Sequence, residues 1–259
     1  MPDIRSIEIQ SEDHWLKRCY LLDFLLDVHD VSQLHPETLH LAVNLLDRYC
    51  SYRIDIDYEL LGCVTLLIAA KYRDDRESAQ KLGWMCCSLR EGSVLTKMEW
   101  NVLQELDWEV GHPTVVDFQQ FNLIASAKSL RHPLLEYLSL YLAEIALYHR
   151  EFISIRPSTV SSCILALAHD ILKCERPSDR EWIAPVCEPV VYNLSICLAR
   201  PPTVAFNKYV RSRSPCLGAA IEMYLRGRLM LLLQATAEFP TQGINTAHSV
   251  THDSGVSYR

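Results

Sequence analysis

Apolar residues recur along this chain at intervals of three and four, the spacing that places side chains on one face of an α-helix, and the period-two alternation of strands is scarcely visible. Over 14–28 the positions Trp15, Cys19, Leu22 and Leu26 keep that spacing. After a break at His35 and Pro36 it resumes with Leu39, Val43, Leu46 and Cys50 on one face. Pro36 suits a first helical turn, where its missing N–H forfeits no bond, so the break predicts a helix start as well as an end. The segment 60–70, LLGCVTLLIAA, is apolar on every side, which predicts a helix walled in by others. Further helices are predicted over 78–87 and 93–106.

The same order then returns. His132-Pro133 stands 97 residues after His35-Pro36, and the same offset carries the all-apolar segment onto 157–168, PSTVSSCILALA. Between them 134–148 supplies an amphipathic partner, 179–198 predicts a fourth helix, and 204–210 a short fifth. Two copies of one five-helix unit follow from this repeat. Pro113 restarts a helix after Gly111 and His112, which sets the units at 14–110 and 113–212. An extra helix is predicted over 217–239, and the small, polar segment 240–259 is expected to be disordered.

Composition narrows the function classes. At 259 residues with 49% hydrophobic and 22% charged, the chain is of ordinary globular make-up, and eight glycines and twelve prolines leave little room for a turn-rich β architecture. A net charge of −7 opposes a broad nucleic-acid surface, which needs surplus Lys and Arg. Residues 1–13 lack the apolar core of a secretory signal and no apolar run reaches membrane-spanning length, so a nuclear or cytoplasmic location is expected and no membrane partner. The ten cysteines read as free thiols, mostly small core residues. Neither CxxC pairs nor HExxH spacing occurs, so no metal or cofactor is expected. Nor is there a GxGxxG, P-loop, GxSxG or HRD-type motif to support an enzyme.

Some charges stand where the periodicity asks for apolar residues. Rotating by about 100° per residue from Leu95, Glu99 falls near 40°, between Leu106 near 20° and Leu103 near 80°. It is either the solvated edge of the stripe or a carboxylate with a partner. Lys71 ends the all-apolar segment, where the helix dipole alone would favour a cation. The two could also converge as a donor and acceptor pair facing another protein. Arg18 lies at about 300° from Trp15, within an apolar arc, and needs an internal carboxylate; Asp47 on the next helix is the leading candidate for a structural ion pair.

The segment RCYLLDFLLDVHDVSQLHPETLHLAVNLLDRY, from Arg18 to Tyr49, resembles the signature of the cyclin box, and the likeness runs on through LIAAKY, KMEWNVLQELDW and HPTVVDF. The resemblance implies an all-α protein of two tandem five-helix cyclin folds that binds and activates a cyclin-dependent serine/threonine kinase, in cell-cycle control, without being the catalyst. It implies that Lys71 and Glu99 hold the kinase's regulatory helix, with Tyr72, Leu103 and Trp108 at the same contact. Arg73 departs from the family, which commonly carries an acidic residue there; it is either a charge swap that selects a kinase or an exposed loop position. By the same likeness Lys17, Tyr20, Leu21, Phe24 and Glu59 match a substrate-docking patch. Lys17 replaces an apolar residue and Tyr20 an aliphatic one, so altered or lost docking is expected.

Initiation factors resembling factor B also carry tandem cyclin folds, which leaves a transcriptional regulator as the rival reading. Lys208, Arg211, Arg213, Arg226 and Arg228 form the late basic cluster such a protein would use on nucleic acid.

Overall fold

The computed structural model describes residues 12–51, 57–125, 134–177, 182–212 and 214–237, and every regular element among them is helical. Helix α1 (Glu12–Ser32) runs past its predicted end because His29 is buried in its last turn and donates from Nε2 to the His35 carbonyl at 2.9 Å. Gln33, with φ of 52°, then swings the chain into α2 (Pro36–Cys50), which opens on Pro36 as the sequence predicts. Asp57 caps α3 (Tyr58–Arg73) by accepting from the Leu60 amide at 3.0 Å. From 60 to 70 every residue of α3 is buried. With α4 (Arg76–Leu89) and α5 (Gly92–Glu105) the first bundle closes around it, α3 touching α1, α2, α4 and α5.

Gly62 sets how closely α1 approaches that centre. A β-carbon there would stand 2.5 Å from Leu21 Cδ1, so the hydrogen of glycine is what fits. Each large apolar side chain sealed in this way contributes about 1.5–3 kcal/mol.

The second bundle repeats the plan with α6 (Val115–Ala125), α7 (Leu135–Leu147), α8 (Pro157–Ile171), α9 (Glu188–Ala199) and α10 (Thr203–Phe206). Here α8 takes the central place, packed on α6, α7 and α9. The predicted helix over 179–198 is shortened to α9, and residues 182–187 are not helical. Pro185 has no amide proton to give, whereas Pro189 fits a first turn. The motif His132-Pro133 and the segment 240–259 lie outside the described residues. Helix α10 passes into a π-helical turn, Asn207–Arg211, and α11 (Pro215–Ala237) then crosses the bundle, burying Leu217 and Ile221 while Met223, Leu229 and Met230 stay exposed.

The bundles meet along α2, which packs on α6 and α7; Arg18 and Arg73 tie one bundle to the other, and Lys208 braces the second from within. Arg18, inside α1, gives Nε and Nη2 to the two oxygens of Asp47 at 2.7 and 2.8 Å and Nη1 to the Leu147 carbonyl at 2.7 Å. The predicted pair is therefore present, and it also ties α1 to the end of α7. Arg73 grips Asp117 at 2.7 and 2.9 Å with both arms of its guanidinium. Lys208 reaches Glu144 Oε1 at 2.5 Å, and the Tyr209 hydroxyl donates to the same oxygen at 2.8 Å, with lysine and glutamate both buried.

Candidate functional site

Lys71 occupies the last turn of α3 and Glu99 the middle of α5, and the two meet at 2.5 Å between Nζ and Oε1. Convergence follows from the core: Leu95 and Val102 of α5 are buried, which turns Glu99, one helical turn from Leu95, toward the edge of the contact with α3. The Lys71 side chain is 49% exposed and that of Glu99 17%. The carboxylate thus has a cation as partner and keeps a narrow open side at the edge of the stripe.

Asp74 fixes the turn that carries Lys71. Its carboxylate accepts from the His35 amide at 2.9 Å and from the Thr38 hydroxyl at 2.5 Å, locking the end of α3 to the start of α2. Asp75 caps α4 through the Ser78 amide at 2.9 Å. Both acidic residues after Arg73 are thus spent on local structure. Arg73 itself, half-buried, faces Asp117 and the His112 carbonyl, so its charge is satisfied within the chain and it is not an exposed loop position.

Exposed aromatic residues stand next to both members of the pair in the chain, Tyr72 after Lys71 and Trp100 after Glu99. Tyr72 is exposed, and its hydroxyl lies so close to Gly111 that a β-carbon there would stand 2.5 Å from it. After α5 the chain reverses through Asp107 and Trp108, with φ of 51° and 61°, while the Trp108 amide bonds back to the Leu103 carbonyl at 2.9 Å. That reversal throws the Trp108 indole outward, 55% exposed, into an edge-on contact with Trp100 at 5.3 Å. Leu103 is half-buried and packs against the core. A groove next to the ion pair is lined by Leu67, Asp74, Trp84 and Leu95, and Trp84 is 72% exposed. Sequence reasoning missed Trp84 and Trp100. Their signal was available: each is a large aromatic away from the buried stripe of its helix, as contact residues commonly are.

The second predicted patch is also brought together. Lys17, Tyr20, Leu21, Phe24 and Glu59 line one groove with Tyr58, Cys63 and Arg90. Lys17 is held by Asp13 at 2.6 Å, and Arg90 by Glu59 at 3.0 Å, so its rim carries paired charges of both signs. Leu21 is buried at the floor, Phe24 half-buried and Tyr20 exposed.

The late basic cluster loses Lys208 to the interior, while Arg211 and Arg226 stay exposed. Lys208 is buried against Glu144, Arg226 pairs with Glu222 at 2.5 Å and Arg228 stacks 4.9 Å over the Tyr192 ring; Arg213 lies outside the described residues. Sequence spacing put these cations near one another, but the π-helical turn sends Lys208 inward. Among the described residues no cluster of His, Cys, Asp and Glu could hold a metal ion, and no helix is long and apolar enough to cross a membrane. The ten cysteines are free; four are buried, four half-buried, and Cys87 and Cys216 exposed.

Two family models match the chain: the cyclin N-terminal domain over residues 1–111 and the cyclin C-terminal domain over 113–188. Among similar proteins are the G1/S-specific cyclin CCN1 of Candida albicans, 32% identical over 191 residues (65% of this chain, 27% of that one), and cyclin-A1-4 of Oryza sativa, 34% identical over 179 residues (67% and 49%). The chain thus spans about a quarter to a half of the length of these relatives. In architecture it resembles a viral cyclin from herpesvirus saimiri, with a TM-score of 0.65 at 19% identity over 78% of this chain and 91% of the other. A chain of the yeast RNA Pol II CTD kinase CTDK-1 complex matches with a TM-score of 0.61 at 12% identity, over 83% and 76%.

Proposed function

This chain belongs to the cyclin family, and we propose on that footing that it is a regulatory subunit which binds and activates a cyclin-dependent serine/threonine kinase in the division cycle, in the nucleus or cytoplasm. The observation that carries the reading is the Lys71–Glu99 pair, open to solvent at the meeting of α3 and α5, with the exposed Tyr72 next to Lys71 in the chain and the exposed Trp84 along the adjoining groove. The cell-cycle part is supported by the names of relatives, among them the G1/S-specific cyclin of Candida albicans and the G2/mitotic-specific cyclin-3 of Saccharomyces cerevisiae.

The mechanism is positional. A kinase needs the glutamate on its regulatory helix to meet the lysine that orients the ATP phosphates, and a subunit that binds only the arrangement in which they meet shifts the population toward it. Lys71 offers a donor and Glu99 an acceptor to backbone groups of that helix, which gives register, while Leu103 and the indoles of Trp100 and Trp108 supply apolar area. A stable complex of this kind buries roughly 2,000 Å² or more. The groove of Tyr20, Leu21 and Phe24 would take substrates, with Lys17 and the Arg90–Glu59 pair selecting against purely apolar segments.

The test is reconstitution. The tagged chain is used to capture its kinase from native extract, and the purified kinase is assayed with and without it. Phosphotransfer appearing only when both are present supports the proposal. Failure to capture a kinase, or phosphotransfer by the chain alone, overturns it.

A further inference from the structure

Between the two bundles lies a cavity of about 100 Å³, partly open to solvent, that the kinase-binding reading leaves unused. One wall is α2, where His40 and Asn44 sit one turn apart and both face it; the rest is mostly apolar, with Val115, Leu147 and Phe152 among its residues, and His112 and Thr114 join it from the link between the bundles. The Asn44 Oδ1 atom is buried without a hydrogen-bond partner among the described residues. Such an orphan acceptor costs about 1–3 kcal/mol, so it calls for a donor. Arg18 and Asp47 also border the cavity, but they neutralise one another across two short bonds and leave no free charge there. Burial, then the electrostatic influence of His29 and Lys208, pushes the His40 imidazole down to about 3, so at neutral pH the ring is uncharged and offers one donor and one acceptor.

Water alone suits this space poorly. It exceeds the room of one molecule, and because most of its wall offers nothing to bond, water that enters from the open side is held at few points and is readily displaced by an apolar ring. We propose that the cavity is a binding site for a small, flat, uncharged heteroaromatic molecule that carries a hydrogen-bond donor and acceptor side by side on an otherwise apolar ring. The polar edge meets Asn44 and His40, and the ring lies against Val115 and Phe152. Because its walls come from both bundles, an occupant also braces one against the other.

The probe is indazole, which has that edge, compared with indene, which has the same shape without it. In amide NMR titrations of the full chain, indazole is expected to give saturable shifts centred on residues 40–44, 114–116 and 143–147, with at least tenfold tighter binding than indene. Asn44→Leu is expected to weaken indazole at least tenfold and leave indene unchanged. Absence of saturable shifts up to the solubility limit overturns the site, and so does equal binding of the two probes to the unmodified protein, a comparison that does not depend on the variant folding. Shifts scattered over the surface also overturn it.

Discussion

Lys71 Nζ and Glu99 Oε1 stand 2.5 Å apart across the junction of α3 and α5, although 28 residues separate them in the chain. An ion pair this open contributes little to stability, about 0–1 kcal/mol. Replacing both by alanine therefore separates folding from function: the melting curve should move by no more than a few degrees, while kinase activation falls at least tenfold. The check is a thermal melt beside a phosphotransfer assay with the captured kinase, and wild-type activation by the double variant would remove this pair from the mechanism.

Arg18 makes the opposite case. Its side chain is 2% exposed and that of Asp47 10%, so Arg18→Met strands a carboxylate in the interior and should cost about 3–5 kcal/mol. Combining Arg18→Met with Asp47→Leu should cost less than Arg18→Met alone, because no charge is then left unpaired. Urea unfolding of the three proteins measures this directly.

Arg73 braces the two bundles. Burial raises the Asp117 carboxyl, but the Arg73 fork and the bonds from Thr114 outweigh it and hold the group below its ordinary value. A depressed folded value means stability that is present above the unfolded value, near 3.8, and lost as the pH falls through the folded one. Arg73→Ala should therefore cost about 1–3 kcal/mol at pH 7 and markedly less near pH 2.5. An equal loss at both pH values would show that the arginine acts through packing alone.

Two buried histidines predict an acid-sensitive fold. Burial, then Lys208, pushes His29 down to about 4, and His40 is lower still. Both are neutral in the folded protein and take up protons on unfolding once the pH drops below the ordinary value of 6.5, so stability should fall steadily from there toward pH 4. The slope is at most about 1.4 kcal/mol per pH unit for each ring. His40→Phe should flatten that profile, and a wild-type profile already flat over this range would refute the assignment.

Periodicity carried the helices and the pairing of Arg18 with Asp47, because a buried cation within an apolar arc has few places to find its counter-charge. It could not carry Arg73 with Asp117 or Lys208 with Glu144. Those pairs span 44 and 64 residues, the first joining the two bundles and the second lying inside the second bundle, and their geometry depends on how α2 lies against α6 and α7 and on a π-helical turn that no local pattern announces. The candidate site was half legible. Resemblance pointed to Lys71 and Glu99, whereas the outward indoles of Trp84 and Trp100 required knowing which face of each helix the core had already claimed. The overlong helix at 179–198 has a plainer cause: apolar spacing was followed through two prolines.

The left-handed reversal at Asp107 and Trp108 also makes the protein its own optical gauge. Two indoles standing edge-on in water emit at long wavelength, and a partner laid over them would dry both at once. Blue-shifted, altered emission on mixing would then report association at these indoles in an unlabelled sample.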